Sequence, residues 1–239
     1  MERIKDRSDP RLLIADDHAI FAESLRMVLE KTYAVVGIVT NGRALVSEAT
    51  RLKPDVLVVD VAMPLLNGLD AARRVREQAP NIKIVFLTMK SDLNLAAAAL
   101  ELGRVGFVLK NSAMRELHTA IDHVLRNESY LVSQLRAEDW VVRKARAQQF
   151  SKALTPRQRE VTQLLAEGYP IKQIADQLNL SQKTIEFHKH HIMQLFNLKN
   201  NAELVLFALK HDLITIPSET TLPAKCSVTD LRPRESASS

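Results

Sequence analysis

VLVVDVAMP, residues 56–64, carries the clearest signal of architecture in the chain. Four apolar residues, three of them β-branched, run without polar alternation into Asp60, and Pro64 closes the stretch. An unbroken apolar run of this length fits a strand covered on both faces, as in a parallel sheet, rather than a hairpin strand with one wet side. Four comparable runs surround it: RLLIADD (11–17), YAVVGIV (33–39), KIVFLTM (83–89) and GFVLK (106–110). Helix-period segments lie between them, among them HAIFAESLRMVLEK (18–31), GRALVSEATRLK (42–53) and GLDAARRVREQ (68–78). This alternation predicts an α/β domain with a doubly wound, five-stranded parallel sheet.

In such sheets the ligand site lies beyond the carboxyl ends of the strands. Four of the five runs end in a reactive or charged residue: Asp16 and Asp17 after the first, then Asp60, Thr88 and Lys110. One carboxylate at a strand end is ordinarily a solvated group, but the topology brings this whole set to one sheet edge. Three close carboxylates repel one another, and a hard cation such as Mg²⁺ relieves the repulsion. The chemistry that uses all five is phosphoryl transfer to a carboxylate, with a lysine and a hydroxyl on the phosphoryl oxygens.

The pair DD after the first strand, D-x-x-M-P at 60–64, Gly68, Thr88 and F-x-x-K at 107–110 resemble the receiver domain of two-component response regulators, a flavodoxin-like fold. The resemblance implies that Asp60 is the phosphoacceptor. It also implies that Asp16, Asp17, Asp60 and the backbone carbonyl of Ala62 hold Mg²⁺, and that Lys110 binds the phosphoryl group. Thr88 and Phe107 would form the switch, moving together when Asp60 is modified. Phe107 stands where many receivers carry tyrosine, and Met89 and Arg104 enlarge the rim of the site. Two enzyme readings fail on the letters. A haloacid-dehalogenase-type phosphatase needs a second aspartate at position 62, which is alanine, and a dinucleotide or P-loop binder needs a glycine-rich first turn, which IADDHAIF does not offer. The chain is therefore expected not to be an enzyme.

The second half carries helix signals only. Thr155, Pro156 and Gln158 form a helix start with a capping box, Gly168 stops that helix, and Ser181 caps a later one. Residues 154–205, LTPRQREVTQLLAEGYPIKQIADQLNLSQKTIEFHKHHIMQLFNLKNNAELV, resemble the LuxR-type helix-turn-helix, and a receiver followed by this domain is the architecture of NarL/FixJ response regulators. Asn197 stands where glycine is usual; asparagine tolerates the left-handed backbone that such a turn requires.

KTIEFHKHHIMQLF (183–196) gathers three of the seven histidines. At about 100° per residue, His188 falls near the stripe of Ile185, Ile192 and Phe196, His190 lies on the opposite side, and His191 lies at the stripe's edge. The three point apart and cannot share a metal ion. His188 is expected to be structural, with a hydrogen bond to a neighbour. Lys183, Phe187, His190 and Gln194 are expected to face a major groove, with Lys189 and His191 flanking toward phosphates, and Thr184 and Lys199 complete the expected DNA contacts.

Composition agrees with a globular chain, 46% apolar and 26% charged, with net charge +5. By count, residues 1–132 hold 18 basic and 17 acidic side chains, residues 133–216 hold 12 and 8, so the excess sits on the helical half. A single cysteine and no long apolar run suit a cytoplasmic protein with no membrane partner. The expected organisation is a receiver over 1–129, a helical linker over 130–152, a DNA-binding domain over 153–216 and a disordered tail over 217–239. The expected function is a phosphorylation-controlled transcription regulator. Its partners would be a cognate sensor histidine kinase, double-stranded promoter DNA and a second copy of itself as a homodimer. The C-terminal helix, with Leu204, Phe207, Ala208 and Leu209, would give the dimer face or else the domain's own core. The alternative is a receiver that acts through protein–protein contacts, with a helical domain that does not bind DNA.

Overall fold

The computed structural model describes residues 9–89, 93–131 and 154–214. The parts of the expected linker and tail that fall at 132–152 and 217–239 lie outside these residues. The first domain is a parallel sheet in the order β2-β1-β3-β4-β5-β6, built from β1 (Arg11–Ala15), β2 (Ala34–Val39), β3 (Val56–Asp60), β4 (Lys83–Thr88), β5 (Gly106–Leu109) and β6 (Tyr130–Leu131). Every residue of β3 is buried, as its unbroken apolar pattern predicts. The apolar runs predict five strands; β6 is a sixth. It has two residues, too few to show periodicity, and pairs Gly106 with Tyr130 and Phe107 with Leu131.

Helices α1 (Ala19–Leu29) and α5 (Ala113–Leu125) cover one face, with Leu25, Leu29, Leu117 and Ile121 packed on Leu12, Ile14, Val58 and Val85. On the other face lie α2 (Gly42–Leu52), α3 (Gly68–Gln78) and α4 (Leu93–Leu100), over Leu13, Leu57, Val59 and Phe86. Alternate residues of β1, β3, β4 and β5 feed alternate cores, so one apolar run fills two layers. Asn41 and Asn67 cap α2 and α3 by accepting hydrogen bonds from the amides of Ala44 and Asp70. Gly68 permits α3 to start against the active strand: a Cβ there would lie 2.0 Å from the carbonyl oxygen of Asp60.

The second domain has four helices among the described residues: α6 (Pro156–Ala166), α7 (Ile171–Leu178), α8 (Gln182–Leu195) and α9 (Asn201–Lys210). Thr155 and Gln158 complete a reciprocal capping box, and Ser181 caps α8 through the amide of Thr184. Asn179 ends α7 and Asn197 follows α8, both in the left-handed region at φ 51° and 52°, the conformation expected of asparagine where a glycine is usual. The core joins Leu154, Val161, Leu164, Ile174, Ile185, Ile192 and Phe207. Leu204, Phe207 and Ala208 are buried within the chain. The large apolar side chain that α9 leaves exposed is Leu206 instead.

Candidate phosphoacceptor site and nucleic-acid interface

The parallel register puts the ends of β1, β3, β4 and β5 side by side, with Asp60 opposite Leu87 and Thr88 opposite Leu109. Asp16, Asp60, Thr88 and Lys110 are all buried there, and Asp17 is exposed. Lys110 Nζ lies 2.7 Å from Oδ2 of Asp60 and 2.7 Å from Oδ2 of Asp16, and 5.0 Å from the centre of the Phe21 ring. The amide of Ala62 donates to Oδ1 of Asp60 at 3.2 Å. Burial pushes the Asp60 carboxyl up to about 6; Lys110 opposes this and the Asp16 charge adds to it. Burial also depresses Lys110, but Asp60 and Asp16 together outweigh it and hold the ammonium above its ordinary value.

His18 joins this set without having been singled out by any motif. Its Nδ1 lies 2.8 Å from Oδ1 of Asp17 and 3.4 Å from Oδ1 of Asp16, and its amide donates to the latter at 2.9 Å. One donor atom from each of Asp16, Asp17, His18 and Asp60 falls within 4.8 Å of the others. Three carboxylates against one lysine leave a negative excess, and this acidic cluster is compatible with Mg²⁺. The only signal for His18 in the sequence is its place directly after the aspartate pair. Phe107 is fully buried in the core beneath the site.

On α8, Lys183, Phe187, His190, His191 and Gln194 are exposed, Phe187 by 67%, while Thr184 and Lys189 are half-buried. Lys199 is exposed just beyond the helix. The Phe187 and His191 rings lie nearly parallel, 6.3 Å apart. His188 is half-buried, as its angle predicts, but its Nδ1 is buried with no hydrogen-bond partner, contrary to the bond expected for it. Burial, then Arg157 and His191, lower its affinity for a proton.

The loop after Asp60 is gripped by α6, a contact with no sequence signal. Gln163 accepts from the amide of Asn67 at 2.9 Å and donates to the carbonyl of Met63 at 2.9 Å. Leu65, at φ 67°, packs on the helical core, and its amide donates to Glu167 at 3.2 Å. Arg159 holds Asp70 through Nε at 3.1 Å to both carboxylate oxygens and through Nη2 at 2.8 Å to Oδ1. Glu160 receives Arg43 at 3.1 Å, Arg74 at 2.7 Å and Arg157 at 2.9 Å. Burial raises the Asp70 carboxyl, but Arg159, Asn67 and Arg73 outweigh it and keep it below the ordinary range. None of these bonds covers the outward face of α8.

Residues 12–122 match the response regulator receiver domain, and residues 152–208 match the bacterial regulatory proteins of the luxR family. The chain is 35% identical over 215 residues to the oxygen regulatory protein NreC of Staphylococcus epidermidis, covering 85% of this chain and 99% of the relative. The chain belongs to the NarL/FixJ response regulators. Like its family, this regulator is a phosphorylation-controlled, DNA-binding transcription regulator, with a parallel α/β receiver followed by a helix-turn-helix domain. Among solved structures, the RcsB response regulator of Salmonella typhimurium aligns at a TM-score of 0.59 and 28% identity, over 85% of this chain and 98% of that one. A structure of two RcsB dimers bound to two parallel DNAs aligns at 0.50 and 28%, over 84% and 98%. Among the regulator's described residues no helix is long and apolar enough to cross a membrane.

Proposed function

We propose that Asp60 is the residue phosphorylated, that Lys110 and Thr88 receive the phosphoryl oxygens, and that α8 binds promoter DNA. The observation that carries this reading is the Lys110 bridge, 2.7 Å from both Asp60 and Asp16, at the buried end of β3. An Asp60 carboxylate oxygen attacks the donor phosphorus. The bond to the leaving group breaks, and that group departs with the electron pair. The donor is a phosphohistidine of a cognate sensor histidine kinase or a small acyl phosphate. Mg²⁺, when bound by Asp16, Asp17, Asp60 and the carbonyl of Ala62, supplies positive charge to the phosphoryl oxygens. Lys110 then moves its pairing from the free carboxylate to the phosphoryl group, Thr88 donates its hydroxyl, and Phe107 follows Thr88 within the core.

The loop at 63–67 joins this chemistry to the DNA-binding half, because Gln163 and Glu167 of the second domain hold its backbone. Charge added at Asp60 acts on the segment that α6 grips. Since the grip leaves the outward residues of α8 exposed, phosphorylation controls the placing of the DNA-binding domain and the pairing of two copies, rather than uncovering a hidden helix. The RcsB dimers on DNA support a homodimer on paired half-sites. On α8, Lys183, Thr184, Phe187, His190 and Gln194 meet base edges, with Phe187 against a thymine methyl, while Lys189 and His191, with Lys199 beyond the helix, set the register on phosphates. The reading places the regulator in the cytoplasm, with kinase and promoter.

Labelling by a phosphodonor tests the first half: Asp60→Asn abolishes it, and label that persists moves the site elsewhere. Salt titration tests the second: replacing Lys189 or Lys199 by alanine makes the fall of log affinity with log salt shallower by about 1 for each DNA phosphate that the protein ceases to neutralise. Unchanged slopes in both variants remove α8 and the turn after it from the interface.

A further inference from the structure

His18 bears on which cation the phosphorylation site prefers. Its position is built: the amide donates to Oδ1 of Asp16 at 2.9 Å, turning the chain so that Nδ1 lies 2.8 Å from Oδ1 of Asp17. Lys110 hydrogen-bonds Oδ2 of Asp60 and faces Oδ2 of Asp16 as an ion pair at 2.7 Å, without a hydrogen bond to that buried oxygen. Oδ1 of Asp16 and Oδ1 of Asp60 each accept one backbone amide and keep a second lone pair, and with the Asp17 carboxylate and the imidazole they are donors within reach of an ion. The four side chains can bring one donor each within 4.8 Å of one another. His18 sits at the N-cap of α1 but makes no capping hydrogen bond with its side chain, and that side chain is 49% exposed. It therefore has no helix-capping duty to hold it and can turn Nδ1 toward an ion. The contact with Asp17 uses a proton on Nδ1; a bound ion takes that proton's place, the ring then keeping its proton on Nε2.

We propose that His18 is a metal ligand of the receiver site, and that its imidazole makes the site prefer divalent ions of the first transition series over Mg²⁺. The inference rests on the reading of Asp16, Asp17 and Asp60 as the cation site, and adds a nitrogen to its oxygens. Mg²⁺ is satisfied by carboxylate, carbonyl and water, and gains little from an imidazole. Co²⁺, Ni²⁺ and Zn²⁺ accept imidazole readily; Mn²⁺ is more at home with oxygen donors, but as a first-row transition ion it gains more from a nitrogen in place of a water than Mg²⁺ does. The regulator would thereby become sensitive to which divalent ion fills the site before any phosphodonor arrives.

The test uses the full chain loaded with Mn²⁺ and with Mg²⁺ separately, in the absence of phosphodonor. Electron spin-echo modulation of bound Mn²⁺ reads nitrogen ligation directly, and calorimetric titration gives both affinities. The expected result is ¹⁴N modulation in the parent chain that disappears in His18→Ala and in His18→Gln. The same variants lose about tenfold in Mn²⁺ affinity and change less than about twofold for Mg²⁺. Asp17→Ala also removes the modulation, which separates this site from the histidines of α8. Modulation that survives either His18 variant or Asp17→Ala overturns the inference, as does its absence from the parent. An equal loss of both cations in the His18 variants does so too. If the parent binds Mg²⁺ and Asp16→Ala abolishes that binding, the oxygen site stands whatever the fate of His18. If neither ion binds the parent, both readings fall.

Discussion

Asp60 is held at the end of a buried strand with its carboxyl pushed up to about 6, chiefly by burial. A carboxyl whose affinity for protons is raised on folding stabilises the fold below its unfolded value, near 4, and loses that contribution as pH rises through the folded value. With divalent ions removed by chelator, the parent chain should therefore lose stability relative to Asp60→Asn as pH rises from 4 to 7. The difference is bounded at about 3 kcal/mol. Urea unfolding of the two chains at several pH values measures it; a constant difference across that range would mean that Asp60 does not titrate as its burial requires. The carboxylates, Thr88 and Lys110 are legible in the sequence because parallel strands deliver their terminal residues to one edge whatever the loops do. His18 is not, because its contact with Asp17 depends on how the chain turns before α1, which residue spacing does not specify.

The helices and strands carry the site by their starting points. Gly68 opens α3 where a Cβ would stand 2.0 Å from the carbonyl oxygen of Asp60 and 2.9 Å from a Val59 methyl carbon. The nearest obstacle is backbone, which has no rotamer to escape into. Gly68→Ala should displace the end of β3, lowering both the melting temperature and the yield of phosphorylated Asp60; normal labelling in this variant would show that the strand end tolerates a shift. On α8 the helical period alone separates the outward residues from Ile185 and Ile192, and burial agrees with that division. Period cannot supply partners, so the hydrogen bond expected for His188 is wrong. Nor can it foresee that Gln158, Arg159, Glu160 and Gln163, polar by composition, are all buried on α6. Some of the groups that bury them lie about a hundred residues away, on α2, α3 and the loop after β3. Strand β6 escapes for a different reason, since two residues carry no alternation.

Among the described residues the two domains meet chiefly through buried charge, with Leu65 adding an apolar contact to the helical core. Asp70 and Arg159 are both buried and joined by three hydrogen bonds, and Glu160 draws in three arginines. Removing one charge of such a pair is costly while its partner stays buried, and separation of the domains returns that partner to water. Asp70→Asn should therefore open the chain, raising its radius of gyration in small-angle scattering while each domain keeps its helical signal. If the grip restrains the placing of the DNA-binding domain, the unphosphorylated variant should also bind promoter DNA about tenfold more tightly than the parent, within the usual range of coupling between sites. An opened chain with unchanged affinity would separate the interface from control. Whether phosphate on Asp60 governs DNA binding is decided by promoter affinity, measured for the parent and for Asp60→Asn, each with and without a small acyl phosphate and Mg²⁺. The phosphodonor should strengthen binding of the parent and leave Asp60→Asn unchanged; equal strengthening of both chains, or of neither, would mean that control does not pass through Asp60.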